Sequence, residues 1–116
     1  MIEAVTVEDL EQAVREIALE SPDYIYDRPD GGCVYFDKDG CPSCLIGHGL
    51  AKLGITPERV GGYNSSGVGG LSYEDIIVGE DLDWLINVQD RQDAGISWGD
   101  AVLLTDLHEE ERNANA

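Results

Sequence analysis

Basic residues are scarce in this chain. Seven Lys and Arg stand against 24 Asp and Glu, a formal net charge of -17 over 116 residues. Nucleic-acid binding needs Lys and Arg to displace counterions from phosphates, so that function class is excluded. Docking on an anionic membrane surface is excluded for the same reason. Long apolar runs are missing too, since no stretch approaches the roughly 18 residues of a membrane span. Residues 1–12 lack the basic start and apolar run of a secretory signal. Cysteine is sparse and odd in number, three in all, so a complete disulfide framework cannot form within one molecule. These absences point to a reducing cytoplasm.

Histidine is nearly absent as well. A Ser-His-Asp or Cys-His-Asn catalytic set would have to use His48 or His108. His108 sits beside an acidic run and reads as solvated. Cys44 and His48 are four apart, and that helical spacing seldom aims a nucleophile and its base at one substrate atom. The segment 61–70, rich in Gly and Ser, contains no Lys or Arg, and no Gly-Lys-Ser/Thr follows it, so it is not a phosphate-cradling loop. Asp37-Lys38-Asp39-Gly40 begins like a calcium loop, but its glycine comes too early and no Glu stands at the twelfth position.

What remains is an ordinary globular composition, 42% apolar and 27% charged, in a chain of one-domain length. The acidity is spread evenly. Residues 1–58 hold 12 acids and 4 bases, and residues 59–116 hold 12 acids and 3 bases. Three readings of that field stay open: a solvated surface that keeps the protein soluble, a negative surface that docks on a basic protein or imitates DNA phosphates, and divalent-cation binding.

The periodicity predicts an amphipathic helix over 6–20, capped by Thr6, with Leu10, Ala13, Val14, Ile17 and Ala18 on one face and Ser21-Pro22 ending it. Tyr24–Tyr26 and Cys33–Phe36 flank a turn-rich segment and predict a small β-hairpin. A second helix is expected over 43–53, closed by Gly54, in which Gly47 and Gly49 leave room for another backbone. Residues 61–70 read as a flexible loop. A third helix over 81–93 carries Leu82, Leu85, Ile86 and Val88. A fourth opens at Ser97, with Trp98, Ala101, Val102 and Leu104 to Leu107 as its apolar side. The short link at Gly95 makes these two an antiparallel αα-hairpin. Trp84 and Trp98 read as core.

Cys33, Cys41, Cys44 and His48 form the one cluster with chemical promise. Cys3His is a known structural zinc set, Cys41 and Cys44 have knuckle spacing, and Cys44 shares a helical face with His48. The same Cys41-Pro42-Ser43-Cys44 is a CxxC at the start of a helix, where thiolates are stabilised. Over residues 33–55 it resembles the strand, CPxC turn and first helix of a glutaredoxin. That resemblance implies Cys41 as nucleophile and Cys44 as the resolving thiol. The downstream cis-proline segment of glutaredoxins has no counterpart here, because the last proline is Pro57.

A wider pattern reaches from about residue 24 to 105. It comprises Cys33-x-Tyr35, the run Pro42 to Leu50 with Leu53-Gly54, and later Trp84-Leu85, Gln89, Gln92-Asp93-x-Gly95 and Trp98-Gly99-x-Ala101-Val102. This resembles a set of small uncharacterised proteins of actinobacterial phages and their hosts. In that set the positions of Cys33 and Cys44 recur more than that of Cys41, which implies that the CxxC and the four-ligand site are incidental. The group brings an origin and no activity.

The expected fold is α+β, mainly α: helix, small β-hairpin, helix, Gly-rich loop and C-terminal αα-hairpin. A single domain is expected over 1–108, with 109–116 a disordered acidic tail. The expected function is non-enzymatic, a phage-type accessory protein that binds another, basic protein in the bacterial cytoplasm, with no cofactor, no nucleic acid and no membrane. The alternative is a zinc or thiol–disulfide domain built on the cysteine cluster.

Overall fold

The computed structural model describes residues 3–27 and 34–114. Helix α1 spans Val7–Glu20, and the Thr6 side chain caps it by accepting the Asp9 N–H at 3.0 Å. Leu10, Ala13, Val14 and Ala18 are buried along one face, as the spacing predicts. Helix α2 spans Leu45–Lys52 and packs most closely against α1. Gly47 is what lets α2 reach the Tyr35 segment, since a Cβ there would lie 2.0 Å from the Tyr35 carbonyl oxygen. Gly49 meets the Leu10 and Val14 side chains of α1 instead. The chain leaves α2 through Gly54 at φ +91°, with Gly54 N–H donating to Ala51 and Ile55 N–H to Leu50.

A short α3, Pro57–Val60, and a single 3-10 turn, Gly61–Tyr63, follow. The segment expected as a flexible loop is ordered, and part of it forms α4, Val68–Tyr73. The reason lies in its polar side chains. Asn64 makes a two-way amide clamp on the Phe36 backbone, accepting its N–H at 2.9 Å and donating to its carbonyl at 2.7 Å. The Asn64 carbonyl also accepts the Tyr35 N–H, and the Tyr35 hydroxyl donates to the Ser66 carbonyl at 2.6 Å.

Those same bonds displace the expected hairpin. Tyr24–Tyr26 and Val34–Phe36 are not paired strands, and Cys33 lies outside the described residues. The backbone groups that a ladder would use are taken. Tyr35 accepts from Ser43, Phe36 forms an isolated bridge with Pro42, and the Tyr24 carbonyl accepts the Trp98 N–H. The small sheet forms elsewhere: β1 (Val5–Thr6) runs parallel to β2 (Ile77–Val78), with Val5 opposite Ile77. Consecutive buried Ile76 and Ile77 anchor this pair in the core.

Helices α5 (Asp83–Asp93) and α6 (Trp98–Ala114) form the expected antiparallel hairpin, turned at Gly95. Trp84, Leu85, Val88, Trp98 and Ala101 are buried in it. Two features differ from expectation. Thr105, not its leucine neighbours, faces the core, while Leu103, Leu104 and Leu107 are exposed. Trp98, Ala101 and Thr105 define one stripe, and a helix with leucines on several sides can bury only that stripe. Residues 109–114, expected to fray, remain helical, and Arg112 ties the helix end to Asp83 at 3.0 Å and to Glu109 at 3.3 Å. The result is a mainly helical α+β domain, and no helix among the described residues is long and apolar enough to cross a membrane.

Candidate functional site

The cysteine cluster is placed by the start of α2. Cys44 is its N-cap residue, fully buried, without a side-chain cap bond. Cys41 is exposed in the preceding turn, where Asp37 Oδ1 accepts the N–H groups of Asp39 and Cys41 at 2.9 and 3.0 Å. Cys44 thus stands at the first turn of α2, and Cys41, the nucleophile of the redox reading, three residues before it. His48 is half-buried, its ring edge-on to Trp98 at 5.2 Å between centroids. Burial holds its pKa below the ordinary imidazole value. Among the described residues no three His, Cys, Asp or Glu side chains stand together to hold a metal ion. Cys33, the fourth expected ligand, lies outside those residues.

The surroundings of Cys44 bring together residues from both blocks of the long sequence pattern. Gln92 of α5 is fully buried, and its Oε1 accepts the Leu45 N–H at 2.8 Å. It thereby caps α2 from another helix, where Cys44 makes no side-chain cap bond. Its amide nitrogen donates to Asp93 at 2.7 Å. Gln89 Nε2 lies 4.0 Å from Cys44 Sγ. The N–H groups of Trp98 and Gly99 donate to the carbonyls of Tyr24 and Pro22, both at 2.9 Å. The two sequence blocks therefore meet in space, and their residues join α2, α5 and α6.

Comparison with protein-family models, with curated proteins and with solved structures finds no match. Function is therefore argued from this chain's own surface.

Among the described residues, α6 exposes three leucines close together. Leu103 and Leu107 lie one turn apart on α6, with Leu104 three residues before Leu107, and their exposures are 55%, 46% and 41%. Leu103 is four residues from Gly99, which lines a groove between α1 and α6 of about 270 Å³. Ala18, Leu19 and Pro22 form one wall, Gly99 and Val102 the other. Leu19 is 80% exposed. Gly99 is required here, because a Cβ would come within 2.9 Å of the Pro22 carbonyl oxygen.

One end of the groove is closed by a rigid polar knot. The Arg15 guanidinium grips Asp106 at both oxygens, at 2.5 and 2.8 Å. The Trp84 indole N–H donates to the same carboxylate at 2.8 Å, and the Arg15 guanidinium lies 4.5 Å from the Trp84 ring centre. These partners hold the Asp106 carboxyl below the usual carboxylate range and raise Arg15 further. Sequence reasoning gave this knot no role, since Arg15 and Asp106 are 91 residues apart. The one usable signal was α6 itself, which carries more leucine than a single stripe can bury.

Proposed function

We propose that this chain is a protein-binding accessory module, of the kind carried by actinobacterial phages and their hosts, acting in the bacterial cytoplasm. It engages its partner through the exposed leucines of α6 and the adjoining groove. One observation carries this reading: three leucines exposed within little more than one turn of α6, with Leu103 next in sequence to Val102 of the Leu19 groove. Single exposed apolar residues such as Tyr73 occur elsewhere and are normal on any protein. A concentrated apolar face on so acidic a chain marks an interaction site. The net charge of -17 adds the second element, long-range attraction to a basic partner that falls as salt screens it. The zinc and thiol readings have less support, because Cys44 is sealed in the core and His48 is packed against Trp98.

The test is affinity capture from bacterial lysate at low and moderate salt, with the wild type beside a Leu103→Ser/Leu107→Ser variant. One stoichiometric partner, lost from the variant while its helical circular dichroism is unchanged, is the expected result. Capture that ignores the leucines, or a specific catalytic turnover by the purified protein, overturns the reading.

A further inference from the structure

Resting on that reading, we infer that the occupant of the α1–α6 groove is an amphipathic helix of a second protein, with an aliphatic stripe bordered by Lys or Arg. The shape comes first. Arg15 meets Asp106 and Pro22 meets Gly99, so α1 and α6 run antiparallel along the groove. A trough between two antiparallel helices accepts the ridge of a third, and the aliphatic walls suit side chains spaced i, i+3, i+4. Leu19 stands open at its edge, and Gly99 lets α6 close onto Pro22 beside it.

Charge then selects among occupants. The arginines of α1 and α6 are committed internally. Arg15 is held by Asp106, and Arg112 is held by Asp83 and Glu109. Lys52 approaches Glu16 and Glu20 of α1 at 3.9 and 4.0 Å, leaving two carboxylates to one ammonium. Asp100, Glu110 and Glu111 are exposed on α6 around the leucines. A second copy would bring this face against its own carboxylates, with -17 on each molecule. An anionic lipid surface meets the same repulsion. A helix edged with Lys or Arg satisfies both the apolar walls and the surrounding acids.

The probe is a fluorescent leucine–lysine peptide of about five helical turns with leucines at i, i+3, i+4. It is compared with a scrambled peptide of the same composition and with a leucine–glutamate version, each titrated against the full chain by anisotropy. The lysine helix is expected to bind at least tenfold more tightly than either control. Leu19→Asp, and independently Leu103→Asp, should weaken it tenfold or more, although each adds a negative charge. Tyr73→Asp, which adds the same charge outside the groove, should leave affinity unchanged or slightly raised. Equal binding of the scrambled peptide, or tighter binding by Leu19→Asp, reduces the interaction to bulk charge and overturns the inference. A dimer that Leu19→Asp dissolves overturns it in favour of a second copy. If lysate capture depends on Leu103 and Leu107 but the lysine helix does not bind, the protein-binding reading stands and only the basic helix falls.

Discussion

Gln92→Leu should cost this protein about 2–3 kcal/mol of stability, a large effect for a change that keeps a similar length and removes one polar group. The magnitude follows from two lost bonds. Gln92 Oε1 accepts the Leu45 N–H at 2.8 Å, and that N–H belongs to the first turn of α2. Leucine leaves this donor buried without an acceptor, at about 1–3 kcal/mol. The second bond, from Nε2 to Asp93 at 2.7 Å, reaches an exposed carboxylate and adds about 1 kcal/mol at most. The gain from a more apolar side chain offsets part of the sum. For a domain of this size the shift in Tm is about 8–12 °C. Urea unfolding followed by circular dichroism measures it, with Gln89→Leu as a neighbouring comparison. A Gln92→Leu variant within about 0.5 kcal/mol of wild type would show that Gln92 does not cap α2. The central contact between the two sequence blocks would then be incidental.

Asp75 holds the left-handed position after α4 at φ +57°, the one described non-glycine residue with positive φ, so Asp75→Gly should stabilise by up to about 1 kcal/mol in the same urea assay. Glu11 is pushed above the ordinary carboxyl value 4.5, by burial first, against the pull of Arg15 and with Asp81, Glu8 and Glu109 nearby. The folded state then binds more protons just above pH 4.5, so stability falls as pH rises through that window, and Glu11→Gln should stabilise at neutral pH but not below pH 4.5. His48 is shifted the other way, below 6.5, so the unfolded chain binds its proton first. Stability should decline as pH falls from 6.5 toward the folded value, and His48→Gln should lose that component of the pH profile. Thiol labelling with peptide mapping should modify Cys41 at once and Cys44 only on unfolding, and Cys41→Ser should leave Tm unchanged; fast labelling of Cys44 would refute its place in the core.

Four of the helices, α1, α2, α5 and α6, were legible because local rules determine them, whereas the short α3 and α4 were not. Thr6 and Asp9, the stripe from Leu10 to Ala18, and the closing glycines at 54 and 95 act within one or two turns, and each is found where spacing puts it. The small sheet was not legible. Its strands are two residues long, and pairing Val5 with Ile77 is a tertiary event with no local signature. The hairpin failed for a related reason. Tyr24 and Phe36 have strand propensity, but Trp98 and Asn64 compete for their backbone groups from distant parts of the chain. Propensity cannot register such a competitor. Asn64 also shows why a Gly/Ser-rich composition does not by itself make a loop mobile, since one amide clamp and one tyrosine bond tie it down.

Residue type and spacing did not disclose how the candidate residues are packed. Cysteine and histidine at ligand spacing attract a chemical reading, yet Cys44 and His48 are consumed by packing against Gln89 and Trp98. The leucines of α6 attract a packing reading, yet three of them face outward. Both cases have one cause. Residue type reports what a side chain can do, while only the tertiary contact decides whether that capacity is spent inside the fold. In this chain Cys44 and His48 are packed into the fold, Cys41 stays exposed, and three leucines of α6 face outward. The proposed protein-binding role rests on those leucines, and the surrounding carboxylates are what would favour a basic partner.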